Sequence, residues 1–159
     1  MSTGAPELTK TPVNELTAFE TATRDLVGVA LRSVDELEVS LPQFRLLAVL
    51  HERGRSTSTR CATELGVAGS SVTRLADRLH ASGHLVRVAD PSNRRIVALE
   101  LTAQGRKVVK QAANRRRREL RRVLDELDPT ERAVCARVLT ALHERFHAES
   151  AETHNRGPL

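Results

Sequence analysis

The chain has 159 residues, with 25 Lys and Arg against 20 Asp and Glu for a formal charge of +5. That length suits one compact domain with helical extensions, and it buries roughly 70% of the unfolded chain's surface without staples. Two cysteines are too few for a disulfide scaffold, no apolar run approaches the ~18 residues of a membrane span, and with no Trp or Tyr and three Phe the chain lacks the aromatic platforms of single-strand binders.

Nearly all the positive charge is arginine, since lysine occurs only at 10, 107 and 110. Guanidinium forks pair with phosphates and guanine edges, so this balance is compatible with nucleic acid. Met1 to Val13 shows no basic stretch leading into an apolar one, so a cytoplasmic protein without a membrane partner is expected. Cys61 and Cys135 both fall in apolar, helix-like runs and read as small buried hydrophobes.

Residues 1–12 carry Thr, Pro and Gly and read as a disordered tail. From Val13, apolar residues recur at intervals of three and four (Val13, Leu16, Ala22, Leu26, Ala30, Val34, Leu37), predicting a long amphipathic helix that ends near Leu37 to Ser40. Pro42 suits the start of a second helix with Phe44, Leu47 and Leu50 as its stripe, stopped by Gly54. Ser56 to Thr59 reads as a turn with capping capacity before a short helix over Arg60–Leu65, which Gly66 breaks. Gly69, Ser70 and Ser71 open the next helix. Val72, Leu75, Ala76 and Leu79 form its inner face, Ser70, Thr73, Arg74, Asp77 and Arg78 its outer one, and Gly83 ends it.

The period then changes from 3.6 to 2. Leu85 and Arg87, then Val97, Leu99 and Leu101, predict two short strands around the turn-rich tip Asp90–Arg95. Thr102 is placed to cap a helix running to about Leu127, and Asp128-Pro129-Thr130-Glu131 opens a last one with Val134, Val138, Leu142 and Phe146 as its stripe. The tail from Ala151 reads as disordered.

The predicted class is therefore mainly α with a small β wing. A winged helix-turn-helix core (41–102) is flanked by long dimerisation helices, N-terminal over 13–40 and C-terminal over 103–149, with tails at 1–12 and 150–159. Long apolar stripes at both ends need a cover, and a second copy of the chain is the simplest one.

A DNA-reading helix docks through one apolar face and carries short hydroxyls and arginines on the other. Ser70, Ser71, Thr73 and Arg74 are assigned to base or near-base contacts. Arg78, a turn further on, is assigned to phosphate. Arg94 and Arg95 at the hairpin tip suit the narrow minor groove, where the potential is most negative.

Three segments carry a resemblance to a known family. Leu41–Gly54 (LPQFRLLAVLHERG) resembles the second helix of MarR-family regulators, and Glu64–Arg87 (ELGVAGSSVTRLADRLHASGHLVR) resembles their recognition helix and first wing strand. Asn93–Thr102 (NRRIVALELT), followed by Gly105, resembles their wing signature. The resemblance implies a winged-helix homodimer on double-stranded DNA with an inverted-repeat operator, usually a repressor released by a small-molecule effector, and no cofactor. It matches Arg95 to the family's minor-groove arginine. Asn93 stands where the family usually has Asp, which removes a charge beside that arginine. Cys61 stands where an apolar residue such as Leu is common, and the reactive first-helix cysteine of peroxide-sensing members has no counterpart. Phe19, Arg45 and His51 are candidate liners of an effector pocket.

Two features invite other readings. His143-Glu-Arg-Phe-His147 matches H-E-x-x-H on a helix, but only twelve residues follow, so no third ligand or cleft is evident for an enzyme, and no catalytic or metal residue is assigned. A metal-responsive regulator using His143 and His147 is an alternative, as is a winged-helix protein-interaction module without DNA binding. The run Arg115–Arg118, with Arg121 and Arg122, spans all sides of a helix, so its residues cannot all face one ligand; it reads mainly as a solvated surface.

Overall fold

The structure, a computed structural model, describes residues 11–89 and 96–155, with side chains described as far as Ala148. The elements run α1 (Val13–Asp35), α2 (Leu41–Arg53), β1 (Ser56–Thr57), α3 (Ser58–Leu65), α4 (Gly69–Ala81), β2 (Leu85–Ala89), β3 (Val97–Leu101), α5 (Ala103–Leu124) and α6 (Pro129–Asn155). The expected class holds: helices dominate, with a small antiparallel sheet ordered β1-β3-β2. The tail read over 1–12 lies outside the described residues as far as residue 10. The tip read over Asp90–Arg95, with Arg94 and Arg95, lies outside them entirely. None of the described helices is long and apolar enough to cross a membrane.

Several boundaries differ from the sequence reading. α1 stops at Asp35, and residues up to Ser40 form the turn into α2. α3 starts at Ser58, two residues early, because the Thr57 hydroxyl accepts from the Arg60 N–H at 3.3 Å. β1 was not anticipated: Ser56 pairs opposite Leu99 and Thr57 opposite Ala98. α5 ends at Leu124 and α6 runs on to Asn155, with no Gly or Pro between its first residue, Pro129, and its end to stop it earlier.

The first compact unit, 1–117, holds the hydrophobic core. Leu46, Leu47 and Leu50 from α2, Cys61 and Leu65 from α3, and Val72, Ala76 and Leu79 from α4 meet Leu85, Leu99 and Leu101 of the sheet and Val108 and Val109 of α5. Cys61 is fully buried and behaves as expected of a small hydrophobe; desolvation raises its thiol pKa, with the Glu64 carboxylate adding to the effect. Along α1 only Ser33 and Val34 are buried, and Leu16, Phe19, Leu26, Val27 and Leu31 stay exposed.

The start of α5 is fixed by a close approach. Thr102 Oγ1 donates to the Gly83 carbonyl at 2.6 Å and accepts from the Gly105 N–H at 3.1 Å, which is the anticipated cap. A Cβ on Gly105 would collide with the His84 carbonyl oxygen, a backbone atom that cannot swing away. Gly105→Ala is therefore expected to destabilise the unit by about 1–3 kcal/mol, despite alanine's better helix propensity, because the helix must shift off the sheet. Chemical denaturation measures this, and an alanine variant as stable as the parent would contradict the close approach.

In the second unit, 118–159, α6 starts at Pro129 with the Asp128 carboxylate accepting from the N–H groups of Thr130 (2.8 Å) and Glu131 (3.2 Å). Val134, Val138, Leu139 and Phe146 are exposed, and so is Cys135, contrary to the buried reading.

Candidate nucleic-acid interface

α4 is built to show one face and hide the other. Val72, Ala76 and Leu79 are fully buried, while Ser70, Thr73, Arg74, Asp77 and Arg78 are exposed and Ser71 is half-buried. No side chain caps the start of α4, so its first N–H groups are left to solvent or to an oxyanion. The Thr73 hydroxyl donates back to the Gly69 carbonyl at 3.1 Å, which leaves its oxygen as an acceptor.

The arginines around this helix fall into two sets. Arg53 pairs with Glu64 (3.2 Å), Arg55 with Glu100 (2.6 Å) and Arg87 with Asp77 (2.6 Å), while Arg106 donates to the Leu101 carbonyl (2.7 Å). Arg60, Arg74 and Arg78 make no guanidinium hydrogen bond or ion pair among the described residues. A guanidinium held by its own fold is spent on structure, and one left in solvent keeps its donors for a partner. Sequence reasoning passed over Arg60. Its only signal was its place in the first turn of α3, directly after the Ser-Thr cluster.

Arg45, Ser71, Arg74 and Arg78 line one cleft of about 310 Å³ together with Pro42, Leu65, Val67 and Leu75. Arg45 also donates to the Leu65 carbonyl at 3.2 Å. Of the three suggested effector liners, Arg45 thus sits beside the outer face of α4. Phe19 lies exposed on α1 and His51 lies exposed in the last turn of α2, and neither lines this cleft.

The remaining features of the sequence are placed as follows. Arg115 is half-buried and pairs with Glu36 at 3.1 Å, whereas Arg116, Arg117 and Arg118 are exposed, so the basic run divides between packing and solvent. His143 and His147 are exposed on α6 with ring centroids 4.2 Å apart, edge to face. Among the described residues no group of three or more His, Cys, Asp or Glu is placed to hold a metal ion.

An α3–turn–α4 pair whose second helix presents a polar outer face, followed by a β2–β3 hairpin leading into a long helix, defines a winged helix-turn-helix. The comparisons agree. A model of the MarR family matches residues 39–97. The HTH-type transcriptional regulator YfiV of Bacillus subtilis is 31% identical over 110 residues, covering 67% of this chain and 69% of its own. The crystal structure of RV1404 from Mycobacterium tuberculosis superposes with a TM-score of 0.75 at 37% identity, covering 87% of this chain and 97% of that one. A MarR family protein from Bacillus stearothermophilus also has a TM-score of 0.75, at 25% identity over 87% of this chain and 99% of its own. This chain belongs to the MarR family of helix-turn-helix transcriptional regulators.

Proposed function

We propose that the chain acts as a cytoplasmic homodimer that represses transcription by binding an inverted-repeat operator, and that a small-molecule effector releases it. The observation that carries the DNA-reading part is the outer face of α4, where Arg74 and Arg78 keep their guanidinium donors free of internal partners. In this reading Ser70, Ser71, Thr73 and Arg74 meet base edges in the major groove, Arg78 meets phosphate, and Arg94 and Arg95 enter the adjacent minor groove. No catalytic residue is assigned; the relatives are named as transcriptional regulators.

Dimerisation is supported by apolar surface that the single chain leaves open. Leu16, Phe19, Leu26, Val27 and Leu31 of α1, and Val134, Val138, Leu139 and Phe146 of α6, are each at least two-fifths exposed. Apolar faces of that extent mark interaction sites, and the exposed residues of each helix recur at helical spacing. The segments 13–40 and 103–149 are accordingly proposed as the dimerisation helices around the 41–102 DNA-binding domain. A symmetric dimer sets two α4 helices about 34–36 Å apart, one turn of duplex, and an effector acts by changing that spacing.

A mobility-shift titration against the DNA upstream of the protein's own gene, at two salt concentrations, tests the reading. A specific binder keeps its preference for one site while losing affinity steeply with salt, by about 10³–10⁵ between 50 and 200 mM if 6–10 phosphates are contacted. Binding that is weak, salt-insensitive and indifferent to sequence would refute it and favour a protein-interaction module.

A further inference from the structure

Next to α4 lies a polar cluster that the DNA-reading face does not use. His84, in the turn between α4 and β2, is 2% exposed, yet both its ring nitrogens have partners. Nδ1 is 2.8 Å from Ser82 Oγ and Nε2 is 2.9 Å from Glu38 Oε1. The amide of Gln104, in the first turn of α5, donates to the same Glu38 oxygen at 3.3 Å and lies 3.4 Å from Nε2. Ser82 is the C-terminal cap of α4, and its Oγ lies 3.0 Å from the Arg78 carbonyl and 3.3 Å from that of Leu79. One imidazole therefore joins the end of α4, the turn between α1 and α2, and the start of α5. The backbone supports the same junction: the Thr102 N–H donates to the His84 carbonyl at 3.1 Å, and Gly105 packs against that oxygen.

Donor and acceptor accounting shows what a proton does here. Glu38 is an acceptor only, because the His84 ring, and then the Gln104 amide, hydrogen-bond its carboxylate and hold it below the usual carboxylate range. Nε2 must therefore carry a hydrogen. With a neutral ring, Nδ1 is bare and takes the Ser82 hydroxyl proton. With a charged ring, Nδ1–H donates to Ser82 Oγ, and the hydroxyl proton turns to the Arg78 carbonyl. Both states leave each ring nitrogen with a complementary partner. The charged state adds a link to the backbone of Arg78 and an ion pair with Glu38, and it sets a cation beside the C-terminal end of α4.

We propose that His84 is a positioning residue for DNA reading, a proton-responsive brace that sets the recognition helix against the α1–α2 turn and α5 through Ser82 and Glu38. The inference rests on the proposed role of α4. The ionisable groups around the brace are Glu38 from the α1–α2 turn, Lys107 from α5, whose charge acts on Glu38, and His80 of α4, whose Nδ1 faces the Leu85 carbonyl at 3.2 Å. Ser82 and Gln104 complete the ring's hydrogen-bonding shell without titrating.

The test compares affinity for the upstream fragment with affinity for an unrelated duplex across about pH 5.5 to 8, where histidines ordinarily change charge. Full-length protein is used, with Glu38→Gln and Ser82→Ala as the variants. Glu38 is solvent-exposed, so its variant keeps the fold even where His84→Gln does not. The wild-type ratio is expected to fall about three- to tenfold towards pH 8, the net worth of one hydrogen bond, and each variant is expected to flatten that profile. The histidines other than His84 are the same in all three proteins, so their contributions cancel in the comparison. Identical ratios and profiles in all three would overturn the proposal. So would variants that weaken binding equally at every pH while keeping the wild-type slope, since that marks plain packing. A wild type with no site preference at any pH would instead remove the DNA-reading assignment itself.

Discussion

Leu79→Ala is expected to lose about 2–5 kcal/mol of folding stability, a large part of the roughly 5–15 kcal/mol that holds a domain of this size. Leu79 has no exposed surface and is among the largest fully buried side chains of the core. The outer face of α4 contributes nothing to that core, so the helix's apolar anchors among the described residues are Val72, Ala76, Leu79 and the half-buried Leu75. Ala76 brings only a methyl group, so removing Leu79 takes away a major anchor and leaves a cavity that its neighbours fill only partly. Denaturant unfolding should show a lower midpoint with an unchanged slope. Leu75→Ala, at a half-buried position, should cost clearly less. A loss at Leu79 below about 1 kcal/mol would mean that the packing described around α4 is wrong.

The same helix shows what sequence reading can and cannot reach. Its inner residues 72, 75, 76 and 79 repeat at helical spacing, and that repeat placed α4 within a residue of its true ends. Gly66 and Gly83, at φ 66° and 77°, end their helices where a side chain would be strained, so the breaks were legible too. Thr102 and Asp128 cap as their positions imply, because a cap is a local bond between residues three or fewer apart. β1 was missed because two residues carry no period; its identity comes from pairing with β3, about 40 residues on.

The candidate site divides in the same way. Which side of α4 faces outward followed from periodicity. That Arg45 shares a cleft with Arg74 and Arg78 did not, because their association arises from the packing of α2 on α4. Nor did the division between engaged and free arginines, since the partners Glu64, Asp77 and Glu100 lie 10 to 45 positions away. The Glu38–His84–Gln104 cluster spans 66 positions and consists of polar residues in turns and a helix start, where no repeat points to a neighbour.

Arg74→Ala is expected to relax sequence preference by about 1–3 kcal/mol at the base pairs it meets, while leaving folding stability within about 0.5 kcal/mol. The two halves of this prediction come from one observation. Arg74 is exposed and binds nothing within the described chain, so its removal opens no cavity and strands no buried partner. All of its effect must then appear in the complex. Arg78→Ala should behave differently: a phosphate contact has no sequence content, so affinity falls about equally on all duplexes and the salt slope drops by about one. Thr73→Ala should resemble Arg74→Ala, because the Thr73 oxygen retains acceptor capacity while its proton stays on Gly69. Arg95→Ala should weaken binding through the minor groove. Competition binding on operator variants changed one base pair at a time separates these outcomes. If Arg74→Ala loses affinity uniformly and Arg78→Ala loses preference, the helix sits in the groove in a different register. If neither substitution changes binding, the outer face of α4 is not the reading surface.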